Sequence, residues 1–210
     1  MSFNVNGLFV GEVAPSTTVA GCIEIYENIW PNPDETIKNI EMLCKDPESD
    51  IAWSPAETLG HGAYQNIRTN KSIALTHLAS VLDNQVLQNI NNQFYTLLLA
   101  TINSYSKRFS IQEKFWHEGY NILKYQQGQS YNLHYDGSSH IGRTISAICY
   151  LNSDYDGGEI EFPNFKIKIK PEPGMLILFP SNFAYSHIAH PVISGTKYAL
   201  VTWIRDQEIK

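Results

Sequence analysis

Tyr131-Asn132-Leu133-His134-Tyr135-Asp136, with Gln127-Gly128 before it and Gly137 after it, reads as a short strand over 131–136 held between two turns. Side chains alternate across a strand, so His134 and Asp136 share one face and Tyr135 takes the other. Outward from this stretch the same rhythm continues. Runs of β-branched and aromatic residues predict further strands over 116–125, 143–151, 158–162, 165–170, 175–179, 184–190 and 197–205. Asp156-Gly157-Gly158, Pro173-Gly174 and Ser194-Gly195 punctuate them. Many short strands at this spacing predict an antiparallel sandwich or jelly roll.

The first half carries helical signals instead. Asn32-Pro33-Asp34-Glu35 reads as an N-cap, a proline at the first helical position and acids in the first turn. Ile37, Ile40 and Leu43 follow at helical spacing, and Asp46-Pro47 ends the run. A second helix is expected over about 84–104, with Val86, Ile90, Phe94, Leu97 and Leu98 as its core stripe. Between the helices, Trp53 to Lys71 is polar and rich in turn residues. It is either a plain surface loop or a loop that covers substrate, in which case Arg68 is its contact residue. Helices first and strands later make the class α+β: a double-stranded β-helix (jelly roll) with N-terminal buttressing helices. The expected organisation is one domain over 1–210, with 1–114 as helical support and 115–210 as the core.

Composition narrows the function. Hydrophobic residues at 43% and charged residues at 17% fit a packed globular chain rather than a disordered one. A formal charge of −6 argues against capture of nucleic acid or an anionic membrane, which needs a basic face. Cys22, Cys44 and Cys149 are too few and too scattered for a disulfide framework or thiolate cluster, and are expected to be small buried hydrophobes. The first residues lack the pattern of a signal peptide, and no stretch is apolar enough for a membrane span. A soluble, intracellular (cytoplasmic) setting is the expectation.

The chemistry rests on His134, Asp136 and a third residue far along the chain. His-x-Asp alone is weak, because it occurs by chance. About fifty residues later comes His187-Ile188-Ala189-His190-Pro191-Val192, then Gly195-Thr196-Lys197. A histidine from this second strand would complete two imidazoles and one carboxylate. That set leaves open positions and suits non-haem Fe(II) oxygenases. His187 and His190 are three apart, so a strand turns them to opposite faces and only one can join.

At these residues the sequence resembles the 2-oxoglutarate oxygenases of the prolyl 4-hydroxylase-like branch, over roughly 120–205. Tyr125 through Asp136 resembles the family's Tyr…Gly-Gln-x-Tyr…His-x-Asp segment. Arg143 with Tyr150-Leu151-Asn152 resembles the next strand, and Asp156-Gly157-Gly158-Glu159 the Gly-Gly-Glu turn. Pro173-Gly174 with Leu176-Ile177-Leu178-Phe179 resembles the strand before the last ligand. His187-x-x-x-Pro191-Val192-x-x-Gly195-x-Lys197 resembles the distal motif, which Trp203 closes. The resemblance implies Fe(II) held by His134, Asp136 and His187, with His190 as the rival ligand. It implies 2-oxoglutarate and O2 as cosubstrates, with ascorbate as a candidate reductant. Lys197 would pair with the distal carboxylate of 2-oxoglutarate; lysine there resembles the collagen and algal enzymes, whereas the oxygen-sensing ones use arginine. Tyr150 would give its hydroxyl to the same carboxylate, and Tyr125 would bond the cosubstrate near the metal. Trp203 either walls that pocket or is core. Arg143, Tyr131 and Arg68 are the expected substrate-side residues. His117 reads as structural, and His61 and His140 as loop residues.

The implied reaction is hydroxylation of an unactivated C–H bond, with a prolyl residue of a peptide or protein as the first candidate. The alternatives are another side chain, a free amino acid or a small metabolite as substrate, or an inactive jelly-roll binding module.

Overall fold

The computed structural model describes residues 2–3, 15–57, 67–112, 115–137 and 142–206. In chain order the first half holds strands β1 (Ser2–Phe3), β2 (Ser16–Ala20) and β3 (Ile23–Tyr26) and helix α1 (Pro33–Lys45). Strands β4 (Ser54–Pro55) and β5 (Lys71–Ala74) follow, then helices α2 (Leu75–Val81) and α3 (Gln85–Arg108). The second half holds β6 (Phe115–His117), β7 (Asn121–Tyr125), β8 (Tyr131–His134), β9 (Arg143–Tyr150), β10 (Asp156–Gly157) and β11 (Ile160–Phe162). It continues with β12 (Ile167–Ile169), β13 (Leu176–Pro180), β14 (His187–Ala189), β15 (Val192–Ser194) and β16 (Lys197–Arg205).

Both predicted helices are present. Pro33 starts α1, but Asn32 does not cap it with its side chain; Asn32 sits in the left-handed region at φ 53°. The Trp30 indole fastens that turn instead by donating to Thr36 Oγ1 at 3.0 Å. Asn84 does cap α3, its Oδ1 accepting from the Leu87 N–H. The strand expected over 116–125 is two strands. Gly119, at φ 89°, breaks the run, and β6 and β7 pair with different stretches of β16.

Ten antiparallel strands form a major sheet with the order β2-β3-β13-β9-β16-β7-β5-β4, extended by β6 on β16 and β1 on β6. Four form a minor sheet ordered β12-β11-β14-β8, and β10 pairs with β15. The helices cover one face of the major sheet. Ile40, Leu87, Ile90, Phe94, Leu98 and Ile102 pack there against Ile122, Ile145, Cys149, Leu178 and Leu200. On the other face the minor sheet closes over, so that Ile160, Phe162 and Ile169 meet Ile177, Phe179 and Ala199. This is the jelly roll with buttressing helices that the strand pattern predicts. A strand between the two layers is buried on both faces. β16 shows it: Leu200 and Ile204 join the helical core while Ala199 and Val201 face the minor sheet.

Of the three cysteines only Cys149 is buried. Cys22 sits beside the turn between β2 and β3, and Cys44 in the last turn of α1, so each stays half-exposed. No helix among the described residues is long and apolar enough to cross a membrane.

Phe94 is the hinge of the helix–sheet core, edge-on to both Tyr120 (centroids 4.8 Å apart) and Trp30 (5.9 Å). Phe94→Ala is expected to lower stability by about 3–5 kcal/mol. Urea unfolding would measure it; a loss below about 1 kcal/mol would show that the helices do not hold the sheet as described.

Candidate active site

β8 and β14 pair antiparallel with His134 directly opposite His187. β8 ends at His134, two residues earlier than the sequence predicted, and Asp136 lies in the bend beyond it. The chain leaves the minor sheet there because the Gly137 N–H donates to Ser181 O at 2.7 Å, drawing the backbone against the segment after β13. The approach needs a glycine: a Cβ at 137 would sit 2.9 Å from Arg143 O and 3.0 Å from Ser181 O. The turn brings the carboxylate between the imidazoles. His134 Nε2 is 3.7 Å from Asp136 Oδ1, and His187 Nε2 is 3.8 Å from Oδ2.

The tautomers follow from the outer partners. His134 Nδ1 lies 2.7 Å from Asn132 O and His187 Nδ1 3.1 Å from Tyr185 O. A carbonyl only accepts, so each Nδ1 carries a proton, and it is Nε2 of each ring that is turned to the centre. Burial, reinforced by His187, pushes His134 down to about 3, which keeps it a neutral donor. Burial works against the charge on Asp136, but His187, His134, the Ser146 hydroxyl and Arg143 outweigh it and hold the carboxyl below its usual range. The three ligand atoms lie within 4.8 Å of one another. Three donors on one face of an octahedron, each about 2.1 Å from the ion, lie about 3 Å apart, so the side chains would draw together on binding. Two imidazoles and one carboxylate fit a ferrous ion by ligand type.

A cleft of about 510 Å³ opens from this cluster. Lys197, Tyr125, Tyr150, Trp203, Tyr131 and Arg68 all line it, together with the three metal-site candidates. Lys197 and Trp203 come from the same face of β16, and Lys197 is the register partner of Tyr125 on β7. The Lys197 ammonium donates to Gly158 O at 2.5 Å and lies 5.0 Å and 5.3 Å from the ring centroids of Tyr150 and Tyr125. Lys197 is 3% exposed, and no carboxylate lies within salt-bridge distance of it among the described residues. Burial pulls it down to about 7, with Glu159 opposing only in part. Burial likewise raises Tyr125 to about 12 and Tyr150 well above its usual value, so both stay protonated donors.

Around the mouth the expected substrate residues divide. Tyr131 stacks on His134 at 3.4 Å between centroids, and the Arg68 guanidinium lies 4.8 Å over Tyr131. Arg68 is buried, bonded to Asn70 Oδ1 and Glu57 O, and so is not part of a plain surface loop. Arg143 is committed within the protein. Its fork binds Glu118, its Nη1 reaches Asp136 O, and its plane covers Trp203 at 3.7 Å. His190 points away to Glu161, its Nε2 2.6 Å from Oε2, and does not join the cluster. His117 is structural, as expected: it stacks on Tyr120, and burial pushes it down to about 4. His61 and His140 lie outside the described residues.

Residues 120–205 match the model of the 2OG-Fe(II) oxygenase superfamily. Solved structures extend the likeness in fold. A Trichoplax adhaerens prolyl hydroxylase in complex with a hypoxia inducible factor peptide fragment superposes with a TM-score of 0.72 at 20% identity, over 88% of this chain and 83% of that one. A collagen prolyl hydroxylase of Paramecium Bursaria Chlorella virus-1, in complex with 2OG, gives 0.64 at 21% identity over 88% and 96%. In sequence, the chain is 34% identical over 123 residues to Arabidopsis thaliana Prolyl 4-hydroxylase 13. It is also 36% identical over 107 residues to a PKHD-type hydroxylase of Prochlorococcus marinus. The first match covers 45% of each protein, the second 47% of this chain and 45% of the relative, so the chain aligns with about half the length of these curated relatives.

Sequence reading passed over Ser146, Ser181 and Glu118, which hold Asp136 and Arg143. Ser146 had a signal. It is four residues before Tyr150 on one strand, so parity places both on the face that lines the cleft. Ser181 and Glu118 act through turns and carried none.

Two predictions follow from this geometry. His187→Ala is expected to abolish Co(II) or Fe(II) binding by anaerobic titration, while His190→Ala retains it; the reverse would exchange the ligand. Lys197→Met is expected to stabilise the ligand-free protein, because it removes a buried amine with no ion-pair partner among the described residues, and to weaken 2-oxoglutarate binding. A bound carboxylate raises the Lys197 pKa, so binding above about pH 7 takes up a proton and affinity falls as pH rises. Calorimetry in buffers of different ionisation heat would detect the uptake; no proton uptake at pH 8 would place the carboxylate elsewhere.

Proposed function

We propose that the protein is an Fe(II)- and 2-oxoglutarate-dependent dioxygenase that hydroxylates an unactivated C–H bond, with a prolyl residue of a peptide or protein as the preferred target. The observation that carries the reading is Lys197: a buried ammonium, without an ion-pair partner among the described residues, in the same cleft as His134, Asp136 and His187. Desolvating a charge is costly unless a ligand pairs with it. A dicarboxylate that reaches from the triad to Lys197 supplies that pair.

In this reading His134, Asp136 and His187 hold the metal by three donors and leave its other positions to cosubstrate and O2. Lys197, with the protonated hydroxyls of Tyr150 and Tyr125 nearby, receives the keto acid. Bound iron and 2-oxoglutarate supply the oxidising chemistry, which ends in succinate, CO2 and a hydroxylated product. The protein's task is to fix geometry and exclude water. Leu123, Ile148, Ile160, Ala199 and Val201 give the cleft dry walls. Tyr131, Arg68 and the Arg143-covered Trp203 face the substrate side. Every lining residue except Arg68 comes from the second half, which supports 115–210 as catalytic core and 1–114 as support. A peptide substrate is favoured by relatives named prolyl 4-hydroxylase and by the peptide complex of the Trichoplax adhaerens protein. The PKHD-type names among the relatives keep a second acceptor class in view.

The test is succinate formation with Fe(II), 2-oxoglutarate and a panel of acceptors. Proline-rich peptides are expected to stimulate it and to gain the mass of one oxygen on proline. Stimulation only by free amino acids or other small acceptors would reject the prolyl assignment. No metal binding and no turnover with any acceptor would reject the enzyme.

A further inference from the structure

We propose that Ser146 and Ser181 are positioning residues which bind one oxygen of the Asp136 carboxylate and so commit the other, Oδ1, to the metal. The inference rests on the reading of His134, Asp136 and His187 as the metal site, and concerns how one member of that set is held.

Asp136 enters the site on a bend rather than on a strand, so sheet pairing does not fix its side chain. Two buried hydroxyls do. Ser146 Oγ donates to Asp136 Oδ2 at 2.6 Å, and Ser146 Oγ lies 2.8 Å from Ser181 Oγ. Both serines are 1% exposed. An ionised carboxylate only accepts, so the single Ser146 proton must point to Asp136. The hydrogen between the serines then comes from Ser181. The order Ser181 to Ser146 to Asp136 is thereby fixed, and each bond polarises the next. Ser146 lies on β9 and Ser181 just after β13, and those strands are paired with Phe179 opposite Ser146. Ser181 also accepts the Gly137 N–H through its carbonyl and donates its own N–H to Thr144 O. Its side chain and backbone therefore hold both the carboxylate and the bend that carries it.

The consequence is directional. Oδ2 has one lone pair occupied by Ser146, whereas Oδ1 accepts from no group among the described residues and lies 3.7 Å from His134 Nε2. Holding one oxygen off disfavours two-oxygen chelation by Asp136, which would consume a metal position that cosubstrate or O2 needs.

The experiment uses Co(II) as a probe with a visible spectrum, titrated into wild type, Ser146→Ala, Ser181→Ala and the double variant. Ser146→Ala is expected to weaken Co(II) binding about 10- to 100-fold and to shift the visible bands as Asp136 changes its mode of binding. Ser181→Ala should have a smaller effect, and the double variant should bind like Ser146→Ala, because Ser181 acts through Ser146. Ser146→Thr, which keeps a hydroxyl, should restore most of the affinity. Wild-type affinity and spectrum in Ser146→Ala overturn the proposal. So do additive losses in the double variant, which mark two independent structural defects. If Ser146→Ala does not fold, Ser181→Ala and Ser146→Thr decide: Ser181→Ala with unchanged affinity and spectrum overturns it. A wild type that binds no Co(II) instead overturns the metal site itself.

Discussion

The pairing of β8 with β14 is the constraint from which the site follows. It puts His134 opposite His187, residues far apart along the chain. A slip of one residue would turn one imidazole to the outer face, since strand side chains alternate. The register is therefore held at both ends of β14. Beyond it, Gly158 N–H donates to Pro191 O and His190 N–H to Glu159 O. Before it, the Tyr185 carbonyl orients the His187 ring. Gly157 and Gly195 make room where these segments cross, for a Cβ on either would fall within 3.0 Å of a neighbouring carbonyl. The glycines the sequence displays as turns thus serve the alignment of the candidate ligand His187 on another strand.

Charge is arranged around that alignment with a deliberate imbalance. At the cluster, Asp136 is ionised and His134 neutral, a balance that a divalent cation completes. Deeper in the cleft, Lys197 is desolvated beside one carbonyl and two aromatic faces. Neither site is at its electrostatic optimum without a guest. Charged groups of the frame are paired: Glu118 binds Arg143 and Arg205 together, and Glu24, fully buried, takes the hydroxyls of Ser16 and Thr18 and faces Arg108. Ion pairs hold the frame, while the Lys197 ammonium in the cleft has no ion-pair partner among the described residues.

This division explains what could be read from the sequence. His134, His187, Lys197, Tyr125, Tyr150 and Trp203 fall on strands, with Asp136 in the bend just beyond one; the family resemblance implied that they share one cleft, and the visible strand parity agreed with it. The core stripe of α3 was legible for the same reason, its period being that of a helix. β2, β3 and β5 were not anticipated. β2 reads Ser-Thr-Thr-Val-Ala and lies at a sheet edge, where no apolar alternation is demanded. β3 carries Glu24 in a fully buried position, which reads as a surface signal until its partners are known. The end of β8 at His134 was hidden too. It depends on a backbone bond from Gly137 to Ser181, and contacts between loops leave no periodicity. Arg143 illustrates the limit of resemblance: its Nη1 reaches Asp136 O, but it is not among the cleft-lining residues, and Glu118 and Trp203 occupy its guanidinium.

A desolvated lysine is useful only if it cannot swing to water, and the opposite face of the sheet supplies that restraint. Lys197 pairs with Tyr125, and the next residues, Tyr198 and Lys124, pair with each other on the outer face. There both reach Glu41 of α1, the Lys124 ammonium at 2.6 Å and the Tyr198 hydroxyl at 2.9 Å, while the Trp53 indole adds a third donor at 3.1 Å. Burial works against the charge on Glu41, but Lys124 and Tyr198 prevail and keep its carboxyl below the usual range. The Tyr198 N–H is held as well, by Asn152 Oδ1 at 2.8 Å. Two neighbouring strands thus present a paired cation outward and an unpaired one inward. Strand alternation makes this possible, because one residue step separates the group that anchors the backbone from the group that waits for ligand. The N-terminal helices, silent in the chemistry, are what give the inward lysine a fixed position.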